Sequence, residues 1–99
     1  MGFEILHRNW RTPFAEIDLL ARKGDELLLI EVKARLAAGE KRFEVGQMLS
    51  MRQRERLARA ALWIWSQQKP PRLKLRSQLA VVDGCNIRFL SLSLARDRV

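Results

Sequence analysis

The chain has 99 residues, enough for one domain with a single core and little to spare. Lys and Arg number 19 against 11 Asp and Glu, giving a formal charge of +8 and an isoelectric point near 11.1. That excess favours a polyanionic partner, nucleic acid before an acidic membrane surface, although a merely solubilising cationic surface fits the same numbers. The lone cysteine, Cys85, excludes an internal disulfide and points to a reducing, cytoplasmic setting. One Cys and one His (His7) also exclude a zinc site of the usual kind.

Phe3 to Trp10 reads as a first strand that runs into the basic stretch Arg8-Asn9-Trp10-Arg11. Glu16 to Arg22 is a second, with Ile17 and Leu19 facing away from Glu16 and Asp18. Gly24-Asp25 then suits a two-residue hairpin loop of the kind with Gly first. Glu26 to Ala34 is a third strand. Leu27 and Leu29 line one of its faces and Leu28, Ile30 and Val32 the other, as expected of a strand covered on both sides. Its longest apolar run, Leu27 to Ile30, is too short to cross a bilayer, so no membrane span is expected.

Ala37 to Gln47, with Gly39 and Gly46, reads as a mobile loop or a frayed helical turn. Ser50 opens a helix, with Gln53 three residues on to complete a capping box. Leu49, Leu57, Ala60, Ala61 and Ile64 form its apolar stripe, and Pro70-Pro71 ends the run. Leu75 to Val82 and Ile87 to Leu92 complete the pattern, joined by a turn at Asp83-Gly84 or Cys85-Asn86. The order β-β-β-α-β-β predicts an α/β fold, a mixed sheet of about five strands with helix packing, in one domain over residues 1–99. One helix offers less cover than a sheet buried on both faces needs.

The chemistry concentrates at the far end of the hairpin. With Gly24 and Asp25 at its tip, Asp18 lies opposite Glu31 and Glu16 opposite Lys33, and alternation sends all four side chains to one face. Directly opposed carboxylates repel, so the arrangement invites a cation between them. A hard divalent ion, Mg²⁺ or Mn²⁺, suits two carboxylates, with the Val32 carbonyl as a further ligand. Asp18, Glu31 and Lys33 then read as a metal-dependent phosphodiesterase site, with Lys33 beside the phosphate and Glu16 in support. The same residues also fit a surface hairpin with a Glu16–Lys33 pair, and a three-residue turn would send Asp18 to the other face.

Arg52, Arg56, Arg59 and Trp63 share a helical face and could grip phosphates, as could Arg8, Arg11 and Arg35; a solvated face with a packed Trp fits equally. Trp63 and Trp65 point to nearly opposite sides, so covering both needs a second layer or a second subunit, and a homodimer is expected. His7 and Cys85 read as structural.

The stretches Gly2 to Leu6, Arg8 to Arg11, Ala15 to Arg22 and Ile30 to Arg35 together resemble the YraN-type family of uncharacterised bacterial proteins. That family is similar to the restriction-endonuclease-like nuclease superfamily, which includes archaeal Holliday-junction resolvases. The superfamily's signature, an Asp, a spacer and Glu-x-Lys, matches Asp18, Glu31 and Lys33 in order. The resemblance spans about residues 2 to 93 and is specific in the first 35. It implies a metal-dependent endonuclease acting on double-stranded or branched DNA, or a nucleic-acid-binding module of the same fold with a decayed site. It also implies a helix bearing a further Glu before the first strand, which this sequence lacks. A helix-borne Lys and a fourth-strand Asp of the family fall at Gln53 and about Gln78.

Overall fold

The computed structural model describes residues 2–34 and 49–92. Strands β1 (Glu4–Arg11), β2 (Glu16–Lys23) and β3 (Glu26–Ala34) precede helix α1 (Met51–Ser66), followed by β4 (Lys74–Asp83) and β5 (Asn86–Ser91). Each strand lies within a residue of its expected bounds. The expected loop from Ala37 to Gln47, and Arg35, lie outside the described residues. The sheet order is β1-β2-β3-β4-β5. Every neighbouring pair is antiparallel except β3–β4, which is parallel and is connected across α1.

Two tight turns fix the registers of β2–β3 and β4–β5, whereas β1–β2 carries a register shift between Ile5 and His7. In the first hairpin Lys23 faces Glu26 and Leu19 faces Ile30, with Gly24-Asp25 at the tip. Gly24 has φ +60°, the conformation this loop demands at its first position and that an L side chain adopts only under strain. In the second, Asp83 faces Asn86, so the tip takes one residue from each expected pair: Gly84, at φ +62°, and Cys85.

The sheet buries both faces of β3 from Leu27 to Glu31, as its sequence predicts, but Val32, expected beside Leu28 and Ile30 on a covered face, is exposed. On the helix side Leu20, Leu27 and Leu29 pack with Ile17, Leu49, Leu57, Ala60, Ile64 and Leu92. On the other side Ala21, Leu28, Ile30 and Ala80 form a second cluster, with Leu19 against it. The helix is held by its capping box: Gln53 N donates to Ser50 Oγ (3.1 Å) and Ser50 N to Gln53 Oε1 (3.0 Å).

One expectation fails. Ile17 and Leu19 do not share a face: Ile17 joins Leu20 on the helix side, whereas Leu19 packs on the other. Simple alternation cannot place residues three apart on one face, so β2 changes phase at Asp18. Strand β1 changes with it. Arg8 faces Leu19 and Trp10 faces Ile17, yet His7 and Trp10, also three apart, stack their rings at 4.1 Å. Between them Asn9 has φ +47°, alone among the described non-glycine residues in being positive.

Candidate active site

The phase change falls where β2 and β3 part. Their backbone ladder runs from the turn to Leu19–Ile30 and stops. Beyond it, side chains replace the ladder: Val32 N donates to Asp18 Oδ2 (2.8 Å), and Asp18 N donates to Glu31 Oε2 at a long 3.4 Å. Each carboxylate accepts from the strand opposite, so Asp18 and Glu31 are held side by side, as the hairpin register predicts. The means differ, because Asp18 and Glu31 are not a backbone-paired couple.

Glu31 is the only buried charged residue among those described, 8% exposed. It shares the helix-side face of β3 with Leu27 and Leu29. Its carboxyl is pushed up to about 7, first by loss of solvent and then by the charge of Asp18; the Asp18 N–H and the Lys33 ammonium pull the other way. Lys33, half-buried and two residues on, therefore acts electrostatically on Glu31 without a direct ion pair.

A cleft of about 180 Å³ opens beside this pair, lined by Glu31 and Glu16 from the sheet, by Phe14 and by Gln53 and Arg56 from the first two turns of α1. Of the helical arginines expected to grip phosphate, Arg56 reaches this cleft, while Arg52 and Arg59 are exposed and do not line it. Arg8 and Arg11 are exposed on β1. Trp63 does not extend the basic stripe. It is packed into the core against Trp10 at 5.8 Å, as a structural side chain. Trp65 points away and carries the Arg72 guanidinium over its ring at 4.6 Å.

One further expectation needs correction. The phase change at Asp18 removes the alternation that would align Glu16 with it, and no Glu16–Lys33 ion pair forms among the described residues; Glu26 on β3 instead meets Arg76 at 3.7 Å. Glu16 reaches the site only as part of the cleft lining. Gln53, which falls where the family resemblance places a Lys, spends its side-chain oxygen on the helix cap.

The donor set suits a hard cation. Two adjacent carboxylates, one of them held partly protonated first by its burial and then by its neighbour's charge, gain most from a positive ion between them. No cluster of three or more His, Cys, Asp or Glu side chains occurs among the described residues, so further ligands would be the Val32 carbonyl, water or substrate oxygens.

The sequence model of the uncharacterised protein family UPF0102 matches residues 1–89. The chain belongs to UPF0102. This is the YraN-type family that its opening residues resemble. A UPF0102 protein of Brucella canis is 43% identical over 81 residues, covering 82% of this chain and 62% of that protein. One from Chelativorans sp. is 40% identical over 82 residues, covering 82% and 63%. A third, from Thermodesulfovibrio yellowstonii, is 53% identical over 36 residues, 36% of this chain and 32% of that protein. This UPF0102 chain thus spans less than two thirds of the length of the curated relatives it matches.

Proposed function

We propose that this UPF0102 chain carries the site of a metal-dependent endonuclease acting on double-stranded or branched DNA, as a cytoplasmic homodimer. The observation that carries the reading is the adjacent pair Asp18 and Glu31, held by reciprocal bonds to opposing backbone with Lys33 in electrostatic reach. A bound Mg²⁺ or Mn²⁺ supplies Lewis acidity toward the scissile phosphate and a more acidic water. The protein's part is placement. Asp18 and Glu31 hold the oxygens that would bind the ion, and the Val32 carbonyl follows Glu31 directly in sequence. The Lys33 ammonium offers a mobile positive charge to a phosphate oxygen gaining negative charge. Arg56, across the cleft from Glu31, is placed to bind a neighbouring phosphate.

A second reading keeps the fold and nucleic-acid binding without turnover. The engagement of Gln53 in the helix cap favours it, because the first turns of α1 then offer the cleft no ammonium. The two readings part on Asp18→Asn. Cleavage of duplex and four-way-junction DNA with Mn²⁺ should fall at least about a hundredfold in this variant, while DNA binding is retained or tightened. Equal cleavage by wild type and variant removes the catalytic assignment. Absence of cleavage in both, with binding that weakens steeply as salt rises, leaves the binding module.

A further inference from the structure

We infer that Asn9 is a positioning residue for the carboxylate pair: its left-handed backbone holds the phase change that turns Asp18 toward Val32 and Glu31. The inference rests on reading Asp18 and Glu31 as the site, not on cleavage itself.

The argument is geometric. Asn9 is flanked by the pairs Arg8–Leu19 and Trp10–Ile17, which places it across from Asp18 with no ladder pair of their own. Across the next gap β2 and β3 lose their backbone pairing after Leu19–Ile30. At the row Asn9, Asp18, Glu31 the β1–β2 ladder therefore skips one position in unchanged register, and the β2–β3 ladder has already ended. The register shift of β1 against β2 lies elsewhere, between Ile5 and His7, and the register is kept across Asn9 and Asp18; the change of face there is thus no inserted residue but one residue leaving extended geometry. Asn9, at φ +47°, is that residue. Its phase change puts His7 and Trp10 on one face, lets Trp10 reach Trp63, and brings Ile17 onto the helix side. The Asp18 carboxylate, at the pivot, then meets Val32 N.

Asn9 is exposed, and among the described residues no hydrogen bond of its side chain enters the site. The requirement is thus on its backbone alone, and Asn and Gly meet it while β-branched residues do so only under strain. This predicts a particular pattern of rescue. In the full chain, hydrogen exchange of the Val32 amide reports the bond to Asp18, and Asp18→Ala sets the rate with that bond lost. Asn9→Gly should keep the Val32 amide as protected as wild type. Asn9→Val should speed its exchange by about tenfold or more, as expected for loss of a bond to a carboxylate, with the Leu28 amide in mid-ladder unchanged. Wild-type protection at Val32 in folded Asn9→Val overturns the inference. If that variant does not fold, Asn9→Ala makes the same comparison, with the same outcome overturning it. Calorimetric titration with Mn²⁺ alone separates the two claims: no uptake by wild type defeats the metal reading, whereas the amide pattern decides Asn9 regardless.

Discussion

Glu31 follows four buried leucine and isoleucine side chains along β3, on the helix-facing side of the sheet, and has a second carboxylate against it. Its carboxyl titrates near 7 in the fold instead of the usual 4.5, because burial and then Asp18 disfavour its charge. A raised folded value means that the native state keeps a proton the unfolded chain releases. The resulting stabilisation is complete below about pH 4.5 and is lost as pH rises through about 7. Glu31→Gln should therefore stabilise the metal-free protein at pH 8, on the order of 1–2 kcal/mol once solvent screening is allowed for, and change little at pH 4.5. Urea denaturation at the two pH values checks this, and equal losses in wild type and variant would show that Glu31 does not carry the dependence. At this scale the sequence was informative about identity and silent about backbone. Turn length sets register, so the meeting of Asp18 and Glu31 is legible from Gly24-Asp25. The left-handed Asn9 is not, because a strand pattern assumes regular φ at each position. An Asn in an otherwise strand-like run is the one hint available.

Elements were more legible than faces. Strand β3 announces itself by apolar residues on both sides, α1 by its Ser50–Gln53 box and its stripe at Leu57, Ala60 and Ile64. These signals are local, and local physics decides them. Which face Ile17 or Glu16 takes depends instead on a phase change shared by two strands, which neither strand's pattern reveals. The basic stripe of α1 divides for a similar reason. Arg56 and Trp63 lie on one helical face, but the helix sits with the Arg56 end at the cleft and the Trp63 end against Trp10. A helical wheel carries the angle of each residue, not the distance of its turn from a site on another element.

The molecule as a whole joins a strongly cationic chain to a carboxylate pair that holds the one buried charged residue among those described. The +8 charge favours approach of a polyanion, which would meet its own repulsion at Asp18 and Glu31 unless a cation intervened. The homodimer stays a proposal, supported by Leu62, 67% exposed, and Trp65, 39% exposed despite the Arg72 stack on its ring. Light scattering at micromolar concentration should return twice the mass of the chain, and a monomer there would remove it. No helix among the described residues is long and apolar enough to cross a membrane. The account stands or falls on the ion between the carboxylates. A crystal soaked in Mn²⁺ and measured for anomalous scattering should show a peak bound by Asp18 and Glu31, next to the Val32 carbonyl. A map with both carboxylates ordered and no peak between them would contradict it.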